Sequence, residues 1–536
     1  MSDKLKKSLV IQGSILAIAG LVSKIIGFLY RIPMANIMGN TGNGIYSVSF
    51  GIYNIALTLS SYSMPLAVSK LMSARLAKKE YKNAHRLFRD ALIFAIIAGT
   101  IACLVLFFGA EFLAKMYCKE GLERPLRILA PTTFVVAILG TCRGYYQGHR
   151  NMVPTAISQV IEQIVNAIVS VVAASSFVRA ALSEQPDLSA SYGAMGGTLG
   201  TFAGAGIALV MFLILFFLQR KNRQEEMLQD DLASEDHKLL YKALFLTIIP
   251  VILSQSIYQL GYTLDDFMFG NLMTLKGLEE NVVTDLQGIF NTQYNQMINL
   301  PAAIATAMAS ASIPSIVASF TRKEMEGVKQ KIDVVLKINM LIAIPSAIGL
   351  AVLADPIMSV LFPGLEAYHS TAVRLLQTGS SAVIFYTLST MTTSVLQGCD
   401  RMRIPVIHSG ISLAIHVAVV AVLVYYTDLS VYALIIGNVT FPLIVCLLNC
   451  RSVSKLLGYR FDWNNILMKP MLAALIMGAA AYGTYILVLI LVKSKLIAMI
   501  GSILVALVIY LVLLYLWKVL TKEVLSRLPL VGKRFR

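Results

Sequence analysis

The sequence predicts an all-α integral membrane protein of about 14 helices, arranged as two repeated six-helix lobes followed by a C-terminal helix pair. Composition is the first observation: 57% of the 536 residues are hydrophobic and only 14% are charged, which excludes an ordinary soluble domain. The second observation is a series of continuous apolar stretches, each long enough to cross roughly 30 Å of hydrocarbon. The third is an internal repeat.

The apolar stretches define the predicted membrane spans. The run that follows residues 1–7 is too long for the core of a signal sequence, so we expect the first helix to stay uncleaved. The predicted spans are 8–32, 44–72, 90–110, 127–147, 154–177, 193–219, 243–265, 284–318, 332–354, 371–396, 405–427, 431–450, 468–491 and 496–518.

The internal repeat consists of two short segments that occur in each half of the chain. Gln147-Gly148 returns as Gln397-Gly398, and upstream of each an apolar helix carries a proline, Pro65 or Pro301. Six crossings in each copy give both copies the same direction through the membrane, as in transporters whose site lies between two lobes. The predicted regions are an N-lobe at 1–219, a cytoplasmic linker at 220–242, a C-lobe at 243–450, and a helix pair with a basic tail at 451–536.

The net charge of +16 is concentrated in alternate loops. Basic loops stay cytoplasmic, so both termini are expected inside, and the charge indicates topology and anionic lipid rather than nucleic acid. The six cysteines form no metal-spaced set, and Cys118 alone falls in an outward loop.

The first span carries two cations, Lys24 and Arg31, about two turns apart on nearly the same helix face. No acid in that helix neutralises them, and charges within a span are costly unless they serve a cavity or a partner. They suit an anionic substrate, since a guanidinium matches a phosphate. The alternative is that Arg31 reaches the outer interface while Lys24 pairs with a distant carboxylate.

Polar side chains recur at helical spacing in the fifth span, where Gln159, Glu162, Gln163 and Asn166 form a stripe. We expect this stripe to face the lobe interior. Glu162 is a candidate partner for Lys24 or Arg31, or a binder of a coupling cation. A structural stripe of helix–helix hydrogen bonds is the alternative.

The eighth span is too polar to face lipid, which predicts a hydrated cavity that contacts a hydroxyl-rich ligand. The alternative is that its amides only hold neighbouring helices together. The amides are Asn291, Gln293, Asn295, Gln296 and Asn299, of which the last three are the predicted ligand contacts.

Gate and hinge residues are predicted near the repeated segments. The prolines leave unpaired carbonyls in long helices and are candidate bend points for alternating access. Three roles are open for the basic residues near these segments: binding a phosphate, anchoring an intracellular gate, or only turning the chain. The repetition favours the gate. The candidates are Pro65, Pro301, Arg143, Gln147, Arg150, Gln397 and Arg401.

The chain shows no nucleotide-binding loop, and we expect no metal and no cofactor. Energy would come from the membrane potential or a Na⁺ or H⁺ gradient. Asp265 and Asp266 are predicted to close the seventh span on the outer side, as a common acidic helix end or a cation site. The outer loops are short, which disfavours an enzyme with catalytic groups there.

The chain resembles the multidrug/oligosaccharidyl-lipid/polysaccharide exporter superfamily, in particular the polysaccharide branch of the lipid II flippases and sporulation proteins. The segments that carry the resemblance are Ser23-Lys24-Ile25-Ile26-Gly27-Phe28 with Arg31, Gly42-Asn43-Gly44-Ile45-Tyr46, Met64-Pro65-Leu66-Ala67-Val68-Ser69-Lys70 and Tyr146-Gln147-Gly148. The resemblance implies a V-shaped pair of lobes around a cationic cavity, with Lys24 and Arg31 on a pyrophosphate and the last two spans holding a lipid tail. The eighth span departs from the family's flippases by offering amides in place of an arginine.

The predicted function is therefore a flippase that moves an undecaprenyl-pyrophosphate-linked glycan, lipid II or a related oligosaccharide lipid, across the bacterial cytoplasmic membrane. Its expected partners are that substrate, membrane lipids and cell-wall synthesis proteins. Two alternatives stay open. An efflux pump for organic cations is disfavoured by Coulomb repulsion from Lys24 and Arg31. A non-transporting scaffold of the wall-synthesis machinery would tolerate loss of both cations.

Overall fold

A computed structural model describes residues 3–228 and 235–519, and this part of the chain contains helices and turns but no β-strand. The chain divides into two compact units, Met1–Gly288 and Ile289–Arg536. The lobe boundaries expected from the sequence remain a prediction. The basic tail from residue 520 onward and residues 229–234 of the predicted linker lie outside the described residues.

The first unit is built from long helices joined by short turns. A single 3₁₀ turn, Pro186–Leu188, separates its fifth and sixth helices. Its described helices are α1 (Asp3–Ser60), α2 (Met64–Ala77), α3 (Tyr81–Met116), α4 (Glu123–Gly148), α5 (Val153–Glu184), α6 (Ser189–Leu218), α7 (Arg220–Leu228), α8 (His237–Leu275) and α9 (Glu280–Gly288).

The second unit opens with a π-helical segment, Ile289–Tyr294, and another, Asn464–Met468, directly precedes the helix Lys469–Val492. The last two helices pack against each other, which agrees with the predicted C-terminal pair. The described helices are α10 (Asn295–Thr321), α11 (Met325–Val352), α12 (Ala354–Leu361), α13 (His369–Gly379), α14 (Ala382–Gly398), α15 (Arg403–Tyr426), α16 (Tyr432–Leu457), α17 (Lys469–Val492) and α18 (Lys495–Leu516).

Ten helical stretches of the described residues are long and apolar enough to cross a membrane, and one of them, Ile18–Ala77, covers two of the predicted spans. This confirms the all-α class and a multi-pass membrane protein. Apolar side chains along α3 and α18, such as Phe108 and Leu504, are exposed, as expected for helices that face lipid.

The first two predicted spans are separated by a kink within α1. Gly39 has φ 68° and ψ −177°, a conformation that is open essentially only to glycine. The second predicted span, 44–72, is wrong as a continuous helix, because α1 ends at Ser60 and α2 begins at Met64. Pro65 lies in the first turn of α2, where its missing N–H costs no helical hydrogen bond.

Glycines allow two pairs of helices to pack closely. An added Cβ at Gly144 of α4 would lie 2.8 Å from Val68 of α2, and one at Gly148 would lie 2.8 Å from Met72. On α6, Gly200 faces Ser170 and the Asn166 carbonyl of α5. Small residues at such spacing let helix backbones approach each other in a membrane.

The repeated Gln-Gly segment forms the same turn in both units. In the first unit Arg150 has φ 59° and its N–H donates to the Gln147 carbonyl at 2.9 Å. In the second, Asp400 has φ 58° and its N–H donates to the Gln397 carbonyl at 3.2 Å. The sequence repeat therefore encodes a matching helix end, in which the second residue after the terminal glycine is left-handed.

Three further spans were predicted wrongly. The predicted span 371–396 is divided, because α13 ends at Gly379 and α14 begins at Ala382. The helix of the seventh predicted span, α8, continues past Asp265 and Asp266 to Leu275, and both acids are only 6% exposed. The predicted eighth span, 284–318, is not one regular helix, since it passes from α9 through the π-helical segment to α10. The apolar stretch alone did not predict these features, because hydropathy reports burial in lipid and not the path of the backbone.

Candidate functional site

The polar stripe of α5 faces the cationic segment of α1. An added Cβ at Gly27 would lie 3.2 Å from Nε2 of Gln163, so no side chain separates the two helices there. Asn166 donates from Nδ2 to the Tyr30 hydroxyl at 3.3 Å. The predicted inward direction of the α5 stripe is thus what the structure shows.

Lys24 and Arg31 lie on this part of α1, and both side chains are exposed. Arg31 interacts with the neighbouring Tyr30 and with Tyr46 of the same helix. Across residues 3–228 and 235–519, neither Lys24 nor Arg31 forms an ion pair. The two positive charges are therefore presented without a carboxylate that neutralises them.

Glu162, the acid of the α5 stripe, pairs with Arg143 of α4, whose Nη2 lies 2.5 Å from Oε2. Nε of Arg143 also donates to the Ser158 hydroxyl at 3.0 Å, one turn before Glu162. The expected pairing of Glu162 with Lys24 or Arg31 is wrong. The physical reason is that α4 places a guanidinium directly opposite α5, which satisfies the carboxylate locally.

Two residues of this pair's surroundings were missed by sequence reasoning. The Ser158 hydroxyl accepts a hydrogen bond from Nε of Arg143, and Tyr53 of α1 lies close enough to Glu162 to interact with its charge. The spacing of Ser158 and Glu162, one helical turn apart on the polar face of α5, was the available signal. Tyr53 gave no signal, because an aromatic residue in an apolar helix is ordinary.

The predicted ligand contacts of the eighth span differ in exposure within the second unit. Asn295 and Gln296 are only 7% and 6% exposed, while Asn299 is exposed. Tyr294, at the end of the π-helical segment, has its hydroxyl 3.1 Å from both the Gly379 carbonyl and Oδ1 of Asn438. The segment is thus anchored inside its own unit, and its contact with a ligand remains a prediction.

The predicted gate residues other than Arg143 occupy helix ends. Gln147 and Gln397 are half-buried at the ends of α4 and α14, and Arg150 and Arg401 are exposed in the turns that follow. Pro301 is buried in the second turn of α10, whereas Pro65 lies in the first turn of α2. The position of Pro65 at a helix start differs from the predicted place within a long helix, so it leaves no unpaired carbonyl there. The gate and hinge roles stay predictions.

No group of three or more His, Cys, Asp or Glu side chains among the described residues is placed to hold a metal ion. The polar groups of the first unit are suited to electrostatic interaction. Lys24 and Arg31 on α1 have no ion-pair partner among the described residues, whereas Arg143 is paired with Glu162. Amide and hydroxyl groups lie on α5. Cations and hydrogen-bonding groups of this kind suit an anionic ligand.

Both family profiles and known relatives match this chain. The profile of the family described as "Polysaccharide biosynthesis protein" matches residues 9–320, more than half of the chain, and the MatE profile matches residues 292–422. The Lipid II flippase MurJ of Bacillus subtilis (strain 168) is 25% identical over 413 residues, which cover 75% of this chain and 74% of that protein. Stage V sporulation protein B of the same organism is 23% identical over 538 residues, covering 98% and 99%.

A solved structure of similar fold is that of "Lipid II flippase MurJ, inward closed conformation". It superposes with a TM-score of 0.68 at 14% sequence identity and covers 94% of this chain and 98% of that one. At this level of identity the likeness concerns the fold alone.

Proposed function

Because the chain belongs to the polysaccharide biosynthesis protein family of membrane transporters, we propose that it moves an undecaprenyl-pyrophosphate-linked glycan precursor across the bacterial cytoplasmic membrane by alternating access. Lipid II or a related oligosaccharide lipid is the substrate. Its headgroup combines a pyrophosphate with sugar hydroxyls, so it needs both cations and hydrogen-bonding side chains.

The observation that carries this proposal is the pair of open cations on α1. Lys24 and Arg31 have no ion-pair partner in the described residues, and Glu162, the nearby acid, is already held by Arg143. An unpaired charge inside a membrane protein is costly, and binding an anion repays that cost. The pyrophosphate is placed on these two residues, and the α5 amides are available to the groups beside it.

The membrane setting of the proposal follows from charge. Basic loops favour cytoplasmic termini. In this proposal the substrate is loaded from the inner leaflet and released to the outer one. The chain's own transport energy would be the membrane potential or a Na⁺ or H⁺ gradient. Proteins of cell-wall synthesis are the partners that would supply or consume such a substrate.

The test is rescue of bacterial cells depleted of their own lipid II flippase, with lipid II in the outer leaflet quantified. The expected result is rescue by the wild-type chain and its loss in Lys24→Ala/Arg31→Ala. The matched control is Lys78→Ala/Arg220→Ala, which removes two exposed cations from the loop after α2 and from the start of α7. Rescue that survives loss of Lys24 and Arg31 would overturn the site and favour the scaffold alternative.

A second candidate function is efflux of organic cations, which the MatE match over residues 292–422 favours. The two candidates differ in the sign of the ligand. Purified protein should bind undecaprenyl pyrophosphate more tightly than a lipophilic cation such as tetraphenylphosphonium. Tighter binding of the cation, unaffected by Lys24→Ala, would favour efflux.

A further inference from the structure

Lys119 is a buried basic residue that the proposed substrate site does not use. It lies in the turn between α3 and α4, and only 3% of the residue is exposed. Its ammonium Nζ donates to the hydroxyl of Thr284 on α9 at 2.8 Å. A lysine is rarely buried so fully unless its charge is compensated, so the surroundings of this one are informative.

Three acids surround the ammonium. Asp266 of α8 and Glu280 and Asp285 of α9 all attract the charge of Lys119, as does the thiol of Cys118 when ionised. Two of these acids are themselves fixed, because Asp285 accepts from the Thr41 hydroxyl of α1 at 2.6 Å and Glu280 accepts from the backbone N–H of Glu120. One buried ammonium thus interacts with groups of α8 and α9, and Asp285 extends the network to α1.

The backbones of α1 and α9 meet closely beside this cluster. An added Cβ at Gly44 of α1 would collide with the Thr284 carbonyl, and one at Gly288 of α9 would collide with the Asn40 carbonyl. The fit positions Thr284 and Asp285 within reach of the α3–α4 turn. The contact is therefore a specific junction and not a loose approach of two loops.

Desolvation is the larger energetic effect on the charge of Lys119. Burial lowers the pKa of Lys119 from its usual 10.5 to about 8, against the attraction of Asp266, Glu280 and Asp285, which would raise it. Desolvation thus exceeds the Coulomb gain from these acids. When the junction opens, its charged groups regain their hydration, which offsets the loss of the contacts between them. Opening therefore has only a small net free-energy cost.

We propose that Lys119, Thr284 and Asp285 form a latch that fastens the α3–α4 turn to α9 on the predicted outer side. The latch opens and closes as a unit, because removing any one partner leaves the others buried without compensation. Its use in a transport cycle rests on the proposed function, whereas its existence does not.

Cys118 is a natural reporter of this latch. It is half-buried next to Lys119, and its thiol lies 3.4 Å from Oδ1 of Asn271 on α8. Asn271 in turn donates to the Met116 carbonyl at 3.1 Å, so the turn and α8 are held together around the thiol. When the latch opens, Cys118 becomes accessible to a thiol reagent.

The experiment measures the rate at which a maleimide modifies purified protein in nanodiscs, where both faces are accessible and no substrate is present. Modification lost in Cys118→Ser is assigned to this site. At one fixed pH, Lys119→Met should raise the Cys118 rate several-fold, since it removes the hydrogen bond that Lys119 donates to the Thr284 hydroxyl, a bond that a neutral lysine would keep. Equal rates in wild type and Lys119→Met would overturn the latch.

A second pair of variants covers the case in which Lys119→Met fails to fold. Thr284→Val removes the hydroxyl that accepts the hydrogen bond from the ammonium and keeps the shape of the side chain, while Thr284→Ser keeps the hydroxyl. The valine variant should raise the rate several-fold and the serine variant should leave it near wild type. The same rate in both would sink the proposal. Because no substrate is used, these rates do not depend on transport, which separates failure of the latch from failure of the transport proposal.

Discussion

The guanidinium of Arg143 on α4 lies 2.5 Å from the carboxylate of Glu162 on α5, and this pair sets the charge of the candidate site. Glu162 is the acid of the α5 polar stripe, and its negative charge is balanced locally. The cations of α1 therefore keep their full attraction for an anionic ligand. The same pair explains why a carboxylate is tolerated on an otherwise uncharged helix face.

Removing Arg143 should weaken anion binding without touching the α1 cations. In Arg143→Gln the carboxylate of Glu162 is no longer balanced and repels the pyrophosphate, so the Kd for undecaprenyl pyrophosphate should rise about tenfold, the equivalent of about 1.4 kcal/mol. Titration calorimetry on purified protein measures this directly.

Glu162→Gln is the matched control for that change. It removes the acid and leaves Arg143 free, so the affinity should be equal to or above that of wild type. If both single variants lose affinity to the same extent, the pair acts through packing and the charge argument is wrong.

The kink of α1 depends on one glycine. Gly39→Ala should lower the free energy of unfolding by about 1 to 3 kcal/mol, because an alanine does not adopt φ 68° and ψ −177° without strain. Gly20→Ala in the same helix is the control, since no atom lies within 4 Å of an added Cβ there. A thermal melt of the detergent-solubilised protein should show a lower Tm for the first variant only. Equal melting temperatures would mean that the kink is not strained by a side chain.

The contact between α5 and α6 depends on the absence of a side chain at Gly200. An added Cβ would lie 2.6 Å from the Asn166 carbonyl and would overlap Ser170, so Gly200→Ala should cost about 1 to 3 kcal/mol by overpacking. Gly206→Ala has nothing within 4 Å of the new methyl and should be neutral. Tm measured by intrinsic fluorescence compares the two; the prediction fails if Gly206→Ala is the more harmful change.

The latch should tighten as the pH rises. Burial holds the pKa of Lys119 at about 8 when the latch is closed, whereas an exposed lysine titrates near 10.4. The closed latch thus binds this proton more weakly than the open one, and between about pH 8 and about pH 10 deprotonation favours closure. Below about pH 8 both states keep the proton, and the balance should not change.

The measurement is the ratio of Cys118 modification rates in wild type and Lys119→Arg at each pH. Arginine stays charged throughout this range, so Lys119→Arg gives the modification rate with the charge of the latch held constant. The ratio should be flat up to about pH 8 and should then fall, by at most about tenfold per pH unit. A ratio that rises with pH would reverse the sign of the linkage and contradict the buried position of Lys119.

The sequence by itself determined the membrane class, the helical composition, the repeat and the direction of the α5 stripe. Hydropathy and helical period are local properties, so Lys24, Arg31 and Glu162 were identified as residues that need a partner or a ligand. The matching turns at Arg150 and Asp400 follow from the repeated Gln-Gly segments for the same reason. Features that depend on only a few consecutive residues can be predicted from the sequence alone.

Only the tertiary structure decided which groups meet. Several cations competed for Glu162, and the choice of Arg143 depends on how α4 packs against α5, which no local pattern encodes. The break after Ser60, the continuation of α8 to Leu275 and the burial of Lys119 have the same origin. The energy of a contact depends on distances between residues that are far apart in the chain, and those distances exist only once the helices have packed.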